Sequence, residues 1–123
     1  MFDITTESSF SAAHYLREYH GPCENPHGHN WLVRATVRCR EVDSIGIGID
    51  FKVLKSHLKQ VLEEFDHCDL NQIFEGKENP SSENIARRIF RRLSESIPAG
   101  QNECRVVRVE VFETPGNSTS YFE

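Results

Sequence analysis

The stretch over residues 21–30, Gly-Pro-Cys-Glu-Asn-Pro-His-Gly-His-Asn, concentrates side chains that can do chemistry. It holds a thiol at Cys23, a carboxylate at Glu24 and two imidazoles at His27 and His29. If a strand follows directly, the two histidines enter it two residues apart, so their side chains project to the same face of a sheet. Two imidazoles on one face form half of a metal site.

A third ligand should come from a neighbouring strand, because a catalytic zinc normally has three protein ligands and an open fourth position. His14 ends an alternating run with Phe10 and Ala12. An antiparallel pairing of the two segments would bring His14 beside His27 and His29. Any one of these histidines alone is better explained as an ordinary surface residue, but the pattern of three predicts a zinc site, although imidazoles also suit other transition metals.

The elements that must position these residues can be read from hydrophobic periodicity. Strands are predicted over 2–15, 30–41, 104–112 and 118–122, and helices after Asp50 and after Pro80, with Ser81 or Ser82 as the second cap. The expected apolar stripes of the two helices are Phe51, Leu54, Leu58, Val61, Leu62 and Phe65, and Ile85, Ile89, Leu93 and Ile97. The sequence therefore predicts an α+β fold, a four-stranded antiparallel sheet with two helices on one face in the order ββααββ.

Composition limits the function classes. A chain of 123 residues with 37% hydrophobic content is expected to form one domain over 1–123. A formal charge of −5 argues against a nucleic-acid partner, and the basic face at Arg87, Arg88, Arg91 and Arg92 is interpreted as a solvated helix face. Neither a signal peptide nor a membrane span is recognisable, so a cytoplasmic location is expected.

The four cysteines, Cys23, Cys39, Cys68 and Cys104, are predicted to be reduced, because a chain of this size without a secretion signal has little need of disulfides. Cys39 and Cys104 fall in or beside predicted strands and are expected to be small core or edge residues. Cys68 is expected to take no part in chemistry.

Several motifs occur in an order that carries a family resemblance. They are Phe-Ser-Ala-Ala-His over 10–14, Cys-Glu-Asn-Pro-His-Gly-His over 23–29, Ile-Asp-Phe over 49–51, Phe-Asp-His over 65–67, Leu-Asn at 70–71, Asn-Pro-Ser-Ser-Glu over 79–83 and Val-Phe-Glu-Thr over 111–114. Together they resemble the 6-pyruvoyl-tetrahydropterin synthase superfamily, and most closely its bacterial 6-carboxytetrahydropterin synthase branch in queuosine biosynthesis. The short spacing from the cysteine to His-Gly-His is typical of that branch.

The resemblance implies a tunnelling fold, in which subunits join their sheets into a barrel and two rings stack as a homohexamer with the active site between subunits. It implies that Cys23 takes a proton from the substrate, that His67, oriented by Asp66, moves protons, and that Glu113 holds the pterin ring. The implied substrate is 7,8-dihydroneopterin triphosphate, converted with Zn²⁺ by internal redox, which agrees with the lack of a Gly-rich dinucleotide motif.

Alternatives stay open at this point. Glu24 next to Cys23 resembles a subgroup that also forms 6-hydroxymethyl-7,8-dihydropterin for folate synthesis, but it could equally be a polar loop residue. The histidines could hold a structural metal in a non-catalytic module with Cys23 as fourth ligand. A Cys-His hydrolase of Cys23 and His67 would leave the three histidines without a role. The sequence does not assign the triphosphate site, for which Arg17, Lys52 and Lys77 are candidates.

Overall fold

A single four-stranded antiparallel sheet forms the base of the molecule. The computed structural model describes residues 1–76 and 78–123. The strands are β1 (Phe2–His14), β2 (His27–Cys39), β3 (Arg105–Thr114) and β4 (Asn117–Phe122), and they lie side by side in chain order. Each neighbouring pair is antiparallel, because each strand returns along the one before it. The predicted α+β architecture is confirmed.

In the described part of the connection from β2 to β3 there are three α-helices: α1 (Phe51–Leu62), α2 (Leu70–Ile73) and α3 (Ser82–Ser96). The caps follow the sequence, since the Asp50 side chain accepts a hydrogen bond from the Lys52 amide and the Ser81 side chain accepts one from the Asn84 amide. The single-turn helix α2 was not predicted. Its four residues, capped by Asp69, are too few to show a helical period.

The core lies between one face of the sheet and helices α1 and α3. Side chains at alternate positions of the strands and the inward stripes of the helices are buried there. The core-facing sheet residues include Phe10, Ala12, Trp31, Val33, Ala35, Val37, Val109 and Val111. Among the described residues, no helix has the length and apolar character needed to cross a membrane.

Two sequence predictions need correction in detail. Phe51 was placed on the buried stripe of α1, but its side chain is 66% exposed, because this first helical residue lies beyond the edge of the core. Strand β2 begins at His27, three residues before the predicted start. The two histidines therefore pair within the sheet.

The prediction that all cysteines are reduced was wrong for two of them. Cys39 at the end of β2 and Cys104 just before β3 form a disulfide that links positions 65 residues apart, while Cys23 and Cys68 are free thiols. Both bonded cysteines are buried, as expected. The pairing of β2 with β3 brings the two cysteines together, and no local sequence signal reports that pairing.

Candidate functional site

Three histidines continue the core-facing rows of the sheet beyond the end of the hydrophobic core. His14 follows Phe10 and Ala12 on β1, and His27 and His29 precede the buried Trp31 on β2. The register places His14 opposite His27 and Ala12 opposite His29. Because side chains two residues apart share a face, pairing of the two strands is enough to gather all three imidazoles.

Trp31 closes the inner side of this cluster. The centroid of its ring lies 4.9 Å from that of His14 and 5.3 Å from that of His29, and its indole N–H donates to the Ala12 carbonyl oxygen. The imidazoles therefore lie against a rigid apolar wall. His14 is almost fully buried, with 1% of its surface exposed.

Backbone carbonyl groups fix the tautomers of two of the rings. His14 Nδ1 lies 2.8 Å from the Pro80 carbonyl oxygen, and His27 Nδ1 lies 2.7 Å from the Asn25 carbonyl oxygen. A carbonyl oxygen can only accept, so each Nδ1 carries the proton and each Nε2 keeps its lone pair. This is the arrangement by which proteins commonly orient metal-binding histidines.

The nitrogens on the other side of the rings are available as ligands. Within the described part of the chain, the buried Nε2 atoms of His14 and His29 have no hydrogen-bond partner. Glu113 Oε1 lies 3.0 Å from His29 Nε2 and 3.8 Å from His14 Nε2, both as ion-pair contacts without hydrogen-bond geometry. Ligand atoms of the three histidines and Glu113 all lie within 4.8 Å of one another. These side chains can hold a metal ion, because bonds to such an ion would satisfy the buried lone pairs of the histidine nitrogens.

Burial also favours the neutral, metal-binding form of His14. Loss of solvation is the largest influence and lowers the pKa of His14; the hydrogen bond with the Pro80 carbonyl opposes this, and the weaker effects of His27 and His29, which lower the pKa, and of Glu113, which raises it, leave the net pKa lowered. An imidazole must be deprotonated at the ligating nitrogen to bind a metal. The surroundings of His14 therefore hold it in the required state.

Glu113 was predicted to bind substrate, and the structure also places it beside the histidines. It continues the core-facing row of Val109 and Val111 at the end of β3, and 27% of its side chain is exposed. The same alternation could have revealed this neighbourhood from the sequence, but only once β3 was known to pair with β2. One oxygen is thus close to the histidines while the side chain remains accessible.

Cys23 and Glu24 lie in a short 3-10 helix, Pro22–Glu24, between β1 and β2. The Leu16 amide donates to the Cys23 carbonyl oxygen at 2.8 Å, which ties this turn to the chain that leaves β1. The Cys23 side chain is partly buried, and its thiol is not one of the four groups that converge. Glu24 is exposed.

Asp66 and His67 lie outside the four-residue cluster, at the outer edge of β1. The Ser11 amide donates to Asp66 Oδ1 at 2.9 Å, and the His67 amide donates to the Ser11 carbonyl oxygen at 2.6 Å. His67 Nδ1 lies 3.0 Å from Asp66 Oδ1. The hydrogen bond from Ser11, followed by the contacts with His67, lowers the pKa of the Asp66 carboxyl. Asp66 is thus ionised and able to orient the ring.

The backbone of His67 is unusual. Its φ angle of 57° lies in the left-handed region, which non-glycine residues seldom adopt. The side chain it presents is 82% exposed, so burial in this chain does not explain the conformation. Such outliers often occur at functional positions, and this one directs an imidazole, paired with a carboxylate, into solvent.

The candidates for holding a triphosphate are separate from one another. The Arg17 guanidinium donates to the Glu78 carbonyl oxygen, which fixes it next to the segment before α3. Lys52 is exposed on α1 and lines a shallow surface concavity with Lys55 and Lys59. Lys77 lies outside the described residues.

Comparison with known proteins agrees with this geometry. Residues 3–123 match the family model described as 6-pyruvoyl tetrahydropterin synthase. The chain belongs to this family. The 6-carboxy-5,6,7,8-tetrahydropterin synthase of Synechocystis sp. is 37% identical over 99% of this chain and 94% of its own length. The enzyme of the same name from Bacillus subtilis is 33% identical over 98% of this chain and 82% of its own length.

The fold comparison points to the same family. The structure of Caenorhabditis elegans 6-pyruvoyl tetrahydropterin synthase superposes with a TM-score of 0.81 at 31% identity, covering 100% of this chain and 97% of that one. The tunnelling fold expected from the sequence motifs is confirmed by this match. The prediction that the chain is an enzyme of this family, a lyase, is also confirmed.

Proposed function

We propose that the chain converts 7,8-dihydroneopterin triphosphate and water into 6-carboxy-5,6,7,8-tetrahydropterin, acetaldehyde and triphosphate, with Zn²⁺ held by His14, His27 and His29. The observation that carries the proposal is the convergence of these three imidazoles, where the buried Nε2 atoms of His14 and His29 have no hydrogen-bond partner in the part of the chain that the structure describes. Relatives over nearly the whole chain are named for formation of this product.

Glu113 is proposed to hold the pterin ring. A 2-amino-4-oxo pterin presents two adjacent N–H donors, and a carboxylate can accept both in a planar bidentate pair. Glu113 is partly exposed at the end of β3 while it contacts His29. Its position would bring the substrate side chain toward the three histidines.

Zn²⁺, when bound, would lower the pKa of substrate hydroxyl groups and polarise the carbon atoms next to them. Cys23, as a thiolate, is proposed to take the proton from the first side-chain carbon. His67 would exchange protons through Nε2, because its Nδ1 is held 3.0 Å from Asp66 Oδ1 as an ion-pair contact and Nε2 is not engaged by that carboxylate.

The exposed position of His67 favours a site completed by a second subunit. Among the described residues, 66–71 and Asn79 bond to β1 and the chain after it only from Ser11 onward. The outward backbone groups at positions 3, 5, 7 and 9 have no backbone partner among the described residues. Open strand edges of this kind pair readily with another chain. We propose that copies join at these edges, as a homohexamer, and that His67 serves a neighbouring site.

A second activity, formation of 6-hydroxymethyl-7,8-dihydropterin, is favoured by one observation. Glu24 follows Cys23 within the same single turn of 3-10 helix, so one turn carries both a thiol and a carboxylate base. Proton abstraction by the Glu24 carboxylate instead of the Cys23 thiol would give 6-hydroxymethyl-7,8-dihydropterin. Glu24 is the residue on which this alternative depends.

The test is to incubate the purified protein with 7,8-dihydroneopterin triphosphate and to identify the products by mass spectrometry. We expect 6-carboxy-tetrahydropterin from the zinc-loaded protein, and loss of it after metal removal and in H29A. C23A should abolish this product, and E24A should remove any 6-hydroxymethyl product. If neither C23A nor E24A alters the product ratio, the second activity is excluded.

The same experiment distinguishes a catalytic role of the metal from a purely structural one. A non-catalytic module would unfold when the metal is chelated and would release no product at any metal content. Absence of turnover by the zinc-loaded wild-type protein would overturn the proposed reaction. Recovery of turnover when Zn²⁺ is returned to the metal-free protein would support it.

A further inference from the structure

Two asparagine side chains hold the chain that leaves β1 after its pairing with β2 has ended. Asn71 Oδ1 accepts from the Tyr15 amide at 2.8 Å, and its Nδ2 donates to the Tyr15 carbonyl oxygen at 3.0 Å. Asn79 makes the same two bonds with the amide and carbonyl of Arg17, each at 2.9 Å. Each side-chain amide thus bonds both backbone groups of one residue, as a partner strand would, although β1 itself ends at His14.

The residue between Tyr15 and Arg17 bonds to the turn that carries Cys23. Leu16, between Tyr15 and Arg17, donates its backbone amide to the Cys23 carbonyl oxygen at 2.8 Å. The turn that carries Cys23 is bonded to a segment that the asparagines fix.

The Asn79 segment also supports the metal cluster. The Asn79 carbonyl oxygen accepts from Asn84 Nδ2 at 2.8 Å, which anchors it to α3. The next residue, Pro80, offers the carbonyl that fixes the tautomer of His14. Residues 79–80 therefore fix both the segment that bonds to the Cys23 turn and the orientation of the His14 ring.

Asn71 is anchored independently of Asn79. It lies in the first turn of α2, where its backbone N–H donates to the side chain of Asp69, the N-cap residue of that helix. A primary amide is suited to both positions because it presents a donor and an acceptor side by side. Aspartate has the same shape but, when ionised, offers acceptors alone, so it would place an anionic oxygen against a backbone carbonyl.

We propose that Asn71 and Asn79 are positioning residues that keep the Cys23 turn in register with the histidine cluster. Neither is assigned contact with substrate. The catalytic consequence rests on the proposed function, whereas the structural consequence, restraint of the Cys23 turn, does not.

The test uses Asn71→Asp and Asn79→Asp, with Asn30→Asp as matched control. Asn30 lies one residue from His29, but within residues 1–76 and 78–123 its side chain makes one hydrogen bond, accepted from the Ser11 hydroxyl, which aspartate preserves. The first readout is the rate of alkylation of Cys23 by iodoacetamide, followed by peptide mass spectrometry, with the free thiol of Cys68 as internal reference. The second is the separate measurement of kcat and KM.

We expect both test variants to alkylate faster at Cys23 than the control, relative to Cys68. The kcat should fall by about 10-fold or more, with KM changed by less than about 3-fold, because misplacement of a reacting group affects chemistry more than substrate binding. Circular dichroism reports whether the variants fold. Should the aspartates prevent folding, Asn71→Ser and Asn79→Ser remove the paired amide donor and acceptor without adding charge.

Alkylation of Cys23 and kcat both equal to those of Asn30→Asp would overturn the proposal. A lower kcat with unchanged Cys23 alkylation would also overturn it, since the effect would then not pass through the thiol turn. Faster Cys23 alkylation in a protein whose wild type forms no pterin product would support the positioning role while the proposed reaction failed.

Discussion

His14 and His27 stand directly opposite each other across β1 and β2, and their ring centroids lie 4.5 Å apart. Each ring is fixed at Nδ1 by a backbone carbonyl, from Pro80 for His14 and from Asn25 for His27. The two Nε2 atoms therefore face a common space with a geometry set by the backbone. Small rearrangements of surface side chains will leave this pair unchanged.

Glu113 should separate substrate binding from metal binding. Replacement by glutamine keeps its shape and removes its charge, so we expect KM for the pterin to rise about 10- to 100-fold, as for loss of a charge-assisted hydrogen bond. The zinc content, measured by mass spectrometry, should stay at one ion per chain. The matched control is Glu110→Gln, whose carboxylate lies on β3 beside Arg108. Parallel loss of zinc in E113Q would identify Glu113 as a metal ligand instead.

His14 should make the metal-free protein less stable in mild acid. Its folded-state pKa is lowered by burial, so the unfolded chain binds a proton at this residue more readily than the folded chain. The free energy of unfolding should therefore fall as pH drops below the ordinary value of 6.5, by at most about 1.4 kcal/mol per pH unit for this group.

Urea denaturation between pH 5.5 and 7.5 measures this dependence. H14N should flatten the curve, whereas the exposed His20 offers H20N as a control that keeps it. Stability of the wild type that rises toward acid pH would contradict the predicted sign.

The disulfide should stabilise the fold. Cys39 and Cys104 close a loop of 65 residues that includes all three α-helices, and chain-entropy estimates for such a loop are about 4 kcal/mol. C39A/C104A should lower the free energy of unfolding by about 2–4 kcal/mol in oxidising buffer. C68A, which removes a free thiol, is the control.

Thiol counting gives an independent check on the same bond. The denatured, unreduced protein should show two reactive thiols, corresponding to Cys23 and Cys68. Four reactive thiols, together with coincident denaturation curves for wild type and C39A/C104A, would show that the bond does not form.

A site shared between subunits predicts complementation. C23A and H67A should each be inactive, yet oligomers formed by unfolding and refolding the two variants together should regain activity, because some sites then combine an intact Cys23 with an intact His67. The measurement is turnover of mixed against separately refolded samples. Mixed oligomers, verified by mass spectrometry, that remain inactive would place both residues of one site in the same chain.

Much of the fold could be predicted because its signals are local. The Asp50 and Ser81 caps, the inward stripe of α3 and the alternation along β1 each depend on residues within a few positions of one another. The same alternation placed His27 and His29 on one face. The sequence could therefore propose the three-histidine cluster before any strand pairing was known.

Tertiary structure alone decided what depends on the register between distant segments. Pairing of β2 with β3 placed Cys39 against Cys104, and the row that ends at Glu113 came beside His29. The bonds from Asn71 and Asn79 to the chain after His14 span more than 50 positions. No periodicity in the sequence encodes such contacts, because they arise only when distant strands pair or when separate segments pack beside the end of a strand.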